Sequence, residues 1–305
     1  MTVTEQNYHI PALLPQCIEA LDINPGGVYV DATFGGGGHS RAIVDRLASD
    51  GHLYSFDQDD EAVARAFSDP RFTIVYGNFR FLRNFLRYYG VQSVDGIMAD
   101  LGVSFHHFDD GERGFSFRFD GRLDMRMNRH ATHSAAWILE NYTEEQLAQI
   151  FTLYGELKQG RRMAAEIVRM RQSGKPVDTV AALTDAVRRY ISPRKEKKEM
   201  AMVFQALRIE VNDEMGALRR FLCQALEELR PGGRLVIITY HSLEDRLVKN
   251  FMRSGNFSGE IDRDFFGQAK TPLKPLTNKP IVPSEQEVSD NPRSRSAKLR
   301  VAVKL

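Results

Sequence analysis

Apolar positions in the first hundred residues alternate between two spacings. Val28-Tyr29-Val30-Asp31-Ala32 is a short, β-branched apolar run that stops at a glycine cluster, and a helical segment follows over about Ser40 to Leu47. His52 to Phe56 is the next strand candidate, ending at Asp57. Asp59, Asp60 and Glu61 then stand where a helix N-terminus favours acids, ahead of a helix over Ala62 to Phe67. Phe72 to Tyr76 predicts a third strand, Phe81 to Tyr89 a helix, and Val94 to Ala99 a fourth strand ending at Asp100. Strands and helices alternating at this length predict a parallel sheet covered by helices.

The pattern then breaks. From about Asp109 to Asn212 the spacing gives only helices, such as Glu144 to Tyr154, Arg161 to Arg171 and Thr179 to Tyr190. Alternation resumes with a helix from Met215 to Leu229, the turn Pro231-Gly232-Gly233, a strand Leu235 to Tyr240 and a helix Leu243 to Met252. A loop rich in Pro, Gly and polar residues covers about Gly255 to Pro292, and Lys298 to Val303 closes the chain as a strand. The expected fold class is α/β. A doubly wound sheet is built from residues 1–108 and 213–305, and a basic helical domain, 109–212, is inserted after its fourth strand. Internal repeats are absent from the sequence.

Composition narrows the class. At 305 residues, 42% hydrophobic and 27% charged, the chain reads as a soluble globular protein. No apolar run approaches the roughly 20 residues of a membrane-spanning helix. Met1 to Gln16 has no basic stretch ahead of an apolar core, so a cytoplasmic protein is expected. Cys17 and Cys223 lie in apolar, helical-looking segments; they read as free thiols, and metal-ligand spacing is absent. The net charge of +1 conceals an asymmetry. Lys158 to Lys198 holds twelve Lys and Arg against four acids, a net of +8, which leaves −7 for the rest of the chain. Such an excess points to a polyanion partner such as nucleic acid, with solvated helix faces as the alternative.

Candidate chemistry begins at Asp31-Ala32-Thr33-Phe34-Gly35-Gly36-Gly37-Gly38-His39-Ser40, between the first strand and its helix. Glycines there let a ligand approach the backbone closely. The G-x-G-x-x-G fingerprint is not completed, because its third position falls on Ser40 or Arg41. Asp57 stands about twenty residues on, at a strand end, where a carboxylate can accept from ribose hydroxyls; capping the next helix is the alternative. Together they favour an adenosine-type cofactor, and the incomplete fingerprint counts against a dinucleotide. Leu229-Arg230-Pro231-Gly232-Gly233-Arg234-Leu235 resembles the helix–Pro-Gly-Gly–strand junction of Rossmann-like methyltransferases.

The most specific stretches are Asp100-Leu101-Gly102-Val103-Ser104, Arg113-Gly114-Phe115-Ser116-Phe117 and Asp120-Gly121-Arg122-Leu123-Asp124-Met125-Arg126-Met127. Phe204-Gln205-Ala206-Leu207-Arg208-Ile209, His241-Ser242-Leu243-Glu244-Asp245-Arg246 and Asn291-Pro292-Arg293-Ser294-Arg295-Ser296 follow in order. With the glycine loop they make the chain resemble, from about His9 to Lys304, the bacterial 16S ribosomal RNA cytosine-N4 methyltransferases. The resemblance implies a Rossmann-like sheet, S-adenosylmethionine as cofactor, and a cytidine in the decoding region of 16S rRNA, within the small ribosomal subunit, as acceptor. It also implies cofactor contacts at Gly37, Gly38, His39, Asp57, Phe79 and Asp100. Two departures stand out. The family has Ser-Ser-x-Gln after Gly-Val, where this chain has Ser104-Phe105-His106-His107. A neutral imidazole both donates and accepts, so His107 can keep the glutamine's contact. Met200-Ala201-Met202-Val203 replaces the basic and threonine residues often found before Phe204.

A cytosine amine is a poor nucleophile, because its lone pair is delocalised into the ring, so placement carries most of the expected catalysis. Asp100, at the carboxyl end of the fourth strand, is the expected catalytic residue, either orienting the amine or binding the cofactor's amino-acid end. Phe105, Phe108, Phe115 and Phe117 are candidates to stack on the unstacked base, against core packing as the alternative. Tyr240 and His241 can line the pocket, and Arg293, Arg295 and Arg300 can hold phosphates. A DNA amino-methyltransferase, a catalytically dead RNA-binding module and a nicotinamide oxidoreductase are the competing classes. The first usually carries Pro-Pro-aromatic where this chain has Leu101-Gly102-Val103. Sequence leaves monomer and homodimer equally open.

Overall fold

Seven strands share one sheet in the computed structural model, which describes residues 11–103 and 110–305. They are β1 (Val28–Asp31), β2 (His52–Asp57), β3 (Phe72–Tyr76), β4 (Val94–Asp100), β5 (Leu229–Thr239), β6 (Leu273–Pro275) and β7 (Lys298–Lys304), in the order β3-β2-β1-β4-β5-β7-β6. Strands β1 to β5 run parallel, while β7 lies antiparallel between β5 and β6. The winding reverses between β1 and β4. In an open parallel sheet that reversal opens a crevice beyond the strand carboxyl ends. Here those ends carry Asp31, Asp57 and Asp100.

The central strands are apolar runs because both faces of the sheet are covered. Ile97, Met98 and Ala99 in β4 and Leu235 to Ile238 in β5 are fully buried. Helices α1 (Leu14–Leu21), α2 (Gly38–Val44), α3 (Asp60–Val63) and α4 (Leu82–Tyr88) follow one another through the first four strands. The chain divides into two compact units, Met1–Gly102 with Ala217–Leu305, and Val103–Gly216. The second holds α5 (Ala135–Asn141), α6 (Glu144–Leu153), α7 (Gly160–Gln172), α8 (Val180–Arg188) and α9 (Glu196–Asn212). Their apolar stripes meet in one core that includes Leu147, Phe151, Ile167, Leu183, Val203 and Leu207. Capping fixes the starts: Thr143 and Gln146 form a reciprocal capping box, and Ser134 and Thr179 accept from Trp137 and Ala182. The remaining helices are α10 (Glu214–Glu228), α11 (Ser242–Ser254) and α12 (Glu285–Asp290).

Three elements differ from the sequence expectation. The helix expected to run to Phe67 is a single turn ending at Val63. Phe67 instead stacks on Phe72 with centroids 4.1 Å apart, under the Arg41 guanidinium at 3.6 Å, and this tertiary packing outweighs local helix propensity. Strand β5 begins at Leu229, before the Pro231-Gly232-Gly233 turn. Its pairing jumps from Val94–Leu229 to Gly96–Arg234, so the turn is an irregularity inside the strand. Gly232 sits there at φ +82°. The stretch read as one long loop contains β6 and α12, and Glu287 of α12 accepts the Leu13 N–H at 2.7 Å.

Candidate active site

The loop after β1 is held from below. Asp31 is fully buried; its Oδ1 accepts the Thr33 N–H at 3.0 Å and its Oδ2 the Ser40 hydroxyl at 2.6 Å. Ser40 lies 2.8 Å from the Ser55 hydroxyl of β2. Asp57 Oδ2 accepts the Gly35 N–H and Oδ1 the Asp59 N–H, each at 2.9 Å, so this carboxylate shapes the glycine loop. A carboxylate offers about four lone-pair positions, which lets one group hold a loop and bind a diol at once.

The four glycines are not equivalent. A Cβ on Gly35 or Gly36 would meet nothing within 4 Å, so the loop presents bare backbone to open space there. Gly37 has φ +77°, and a Cβ would fall 2.8 Å from the Phe34 ring. At Gly38 the added carbon would lie 2.2 Å from Cγ of Pro11. Its small size therefore serves packing against the segment before α1. Gly38→Ala is expected to cost about 1–3 kcal/mol through overpacking. Gly36→Ala should keep wild-type stability but weaken ligand binding. Denaturant unfolding of both variants is the check, and equal stabilities would refute the distinction.

Asp100 ends β4 facing this loop. Its backbone N–H donates to Thr33 Oγ1 at 2.6 Å, and Tyr240, just beyond β5, donates its hydroxyl to Oδ1 at 2.8 Å. His39 Nδ1 lies 3.9 Å from Oδ2. Burial pushes His39 down to about 4, so its ring is neutral at pH 7. Its Nε2 faces the Ala12 carbonyl at 3.2 Å, which places the ring proton on Nε2 and leaves Nδ1 unable to donate to Asp100. Among the described residues neither Asp31 nor Asp100 has a Lys or Arg partner. Burial pushes each up to about 7; repulsion from Asp57 adds to the rise of Asp31, and repulsion from Asp31 and Glu244 to that of Asp100. Two such acids without a counter-cation suit a ligand that brings its own positive charge.

The other sequence candidates divide. Phe79 is half-buried, its ring edge-on to Phe221 with centroids 5.2 Å apart. Phe105, Phe108 and His107 lie outside the described residues. Phe115 is only 3% exposed in the core of the helical unit, so it packs there and offers no stacking face; Phe117 is partly exposed beside Phe204. His241 caps α11, its Nδ1 accepting the Glu244 N–H at 3.4 Å, and this accounts for its orientation. Arg295 is exposed and Arg293 half-buried on the turn Pro292–Ser296. Arg300 is committed to Asp245, with Nε and Nη2 at 2.6 and 3.2 Å, which removes it from the phosphate candidates. Sequence reading missed Thr33, whose hydroxyl links the ends of β1 and β4, and the open faces of Gly35 and Gly36.

The basic segment is partly spent on the fold. Arg169 and Arg189 share Glu166, and Arg171 donates to the Leu139 and Tyr142 carbonyls at 2.7 and 2.6 Å. Arg188 lies 3.3 Å from Glu196. That contact, with Glu199 turned onto the Ser192 N–H at 2.9 Å, engages the acids beside Arg194, Lys195, Lys197 and Lys198. These four side chains are exposed and have no ion pair among the described residues.

The MraW methylase family matches over residues 6–305. The chain is 58% identical over 304 residues to the ribosomal RNA small subunit methyltransferase H of Phocaeicola vulgatus, with 100% of each covered. It is 58% identical over 299 residues to the protein of the same name from Parabacteroides distasonis, covering 98% of each. The one from Porphyromonas gingivalis is 57% identical over 305 residues, covering 99% of this chain and 98% of that protein. On a match that runs through sheet, glycine loop and helical unit alike, this chain belongs to the MraW methylase family.

Proposed function

We propose that the chain transfers a methyl group from S-adenosylmethionine to the exocyclic N4 of a cytidine in the decoding region of 16S rRNA, acting on the small ribosomal subunit in the cytoplasm. The observation that carries the reading is the half-buried Asp100 beside the fully buried Asp31, acids without a Lys or Arg partner among the described residues, at the switch point of the sheet that also carries the open backbone of Gly35 and Gly36. The relatives named as rRNA methyltransferases supply the acceptor class.

When bound, S-adenosylmethionine supplies a sulfonium-activated methyl group and an ammonium. The chain's own task is placement, which contributes about 7–11 kcal/mol to such reactions, against roughly 10²–10⁴-fold in rate from a general base. Asp57 accepts from the ribose hydroxyls while holding the loop through Gly35. Gly37, Gly38 and His39 set the loop's path, and Phe79 supplies an apolar edge for the adenine. Asp100 meets the positive charge of the ligand or orients the cytosine amine, and His107 takes the place of the family's glutamine. Phe105 is the stacking candidate for the extruded base; Tyr240 and His241 stand beside the pocket, and Arg293 and Arg295 take phosphates. Residues 109–212 form the substrate-recognition domain, gripping RNA through their basic residues.

Labelled S-adenosylmethionine, unmodified small subunits and nucleoside analysis test this. Label in N4-methylcytidine at one decoding-region position is expected. Label in another nucleoside, or tight cofactor binding with no label in ribosomal RNA, would overturn the acceptor assignment.

A further inference from the structure

Tyr240 is located by three contacts within the protein. Its backbone N–H donates to Glu244 Oε2 at 3.0 Å, and its hydroxyl donates to Asp100 Oδ1 at 2.8 Å. Its ring lies against Gly102, where φ of +107° requires glycine and a Cβ would come within 3.3 Å of the ring. The tyrosine is thus wedged between the end of β5 and the turn that follows Asp100. We propose that Tyr240 is a positioning residue for Asp100, holding Oδ1 so that the carboxylate stays charged and turns Oδ2 toward a cationic group of S-adenosylmethionine. The inference rests on the reading of Asp100 given above.

The surroundings explain why one hydroxyl matters. Asp100 is faced by Asp31 from β1, neutral His39 from α2, Glu244 from α11 and Tyr240, with the buried Cys17 thiol of α1 behind it and Glu287 of α12 acting on that thiol. Every one of these is neutral or negative. Tyr240 is the one side chain among the described residues that donates a hydrogen bond to this carboxylate. Burial and the neighbouring acids push the Tyr240 hydroxyl well above its ordinary range, so it remains a donor throughout the pH range of interest. A donor favours the charged form of its acceptor, opposing the burial that pushes Asp100 up to about 7. Removing the hydroxyl therefore moves the titration of Asp100 to higher pH.

Calorimetric titration of S-adenosylmethionine into wild type, Tyr240→Phe, Asp100→Asn and the double variant, from pH 5.5 to 9, tests this. Tyr240→Phe is expected to weaken binding about tenfold near pH 7, the size of one hydrogen bond to a charged group. It should also raise the midpoint of the affinity–pH curve by about one unit. In the Asp100→Asn background the same substitution should have no further effect. That background also separates Asp31, which titrates in the same range. Placing 3-fluorotyrosine at position 240, a stronger donor, should lower the midpoint, and this second variant serves if Tyr240→Phe is poorly folded. An equal loss in both backgrounds, or an unmoved midpoint, overturns the inference. If Asp100→Asn weakens binding and Tyr240→Phe does not, only the role of Tyr240 falls. If Asp100→Asn binds like wild type, the reading of Asp100 itself falls.

Discussion

Asp100→Asn is expected to leave a folded protein whose methyl transfer is slower by about 10²- to 10³-fold, the scale lost when one preorganised polar group is removed from a reacting site. The amide keeps a carbonyl oxygen for the Tyr240 hydroxyl and keeps the backbone bond to Thr33, so what disappears is the negative charge. Stability should move the other way. The folded-state pKa of Asp100 is raised to about 7, so its native state binds a proton that the unfolded chain has released. That stabilisation is present in full below about pH 4 and is lost as pH rises through 7. Asparagine has no such dependence. The variant should therefore gain on wild type between pH 4 and 7, with the gap flat above; since the side chain is 21% exposed, about 1–2 kcal/mol is the expected size. Thermal melts at pH 4.5 and 7.5, beside the methylation assay, make the check. Wild-type turnover, or activity lost only through unfolding, would remove Asp100 from the chemistry.

The second large effect concerns RNA. Replacing Arg194, Lys195, Lys197 and Lys198 together by alanine should lower the salt slope of small-subunit RNA binding by about 3 and the affinity near 0.1 M salt by roughly 10²–10³-fold. Cofactor affinity should not change. Glu196 and Glu199, the acids nearest this turn, are engaged by Arg188 and the Ser192 N–H, so the four cations present a net positive surface. Filter binding across a salt series reads the slope directly. An unchanged slope would mean that this turn touches no phosphate.

The strand ends that frame the candidate site are legible in the sequence because those strands are buried on both faces and read as apolar runs. The ends of β1, β2 and β4 put Asp31, Asp57 and Asp100 on one edge, and the apolar runs alone mark those ends. What sequence could not supply were contacts between side chains far apart in the chain. Nothing local pairs Arg300 with Asp245 or Tyr240 with Asp100. Phe115 and Phe117 look alike in sequence, yet one is core and the other partly exposed, because only the fold decides which faces inward. The four glycines look alike in sequence, yet only the fold shows that Gly38 packs on Pro11 while Gly35 and Gly36 border open space.

The interruption of the sheet by residues 103–216 also bears on how the chain is made. Strand β4 pairs with β5, Val94 against Leu229 and Asp100 against Ile238, so its partner is synthesised only after the whole helical unit. At about 5–20 residues per second, β4 then waits several seconds with an open hydrogen-bonding edge while the later strands emerge. The helical unit is continuous in sequence, draws on local contacts and can close its core first. Assembly of the sheet therefore depends on the late-made β5, which carries β7 on its other side, finding an edge that has been kept free. A chain released before them would carry a finished helical unit beside a half-built sheet with an unpaired, adhesive margin.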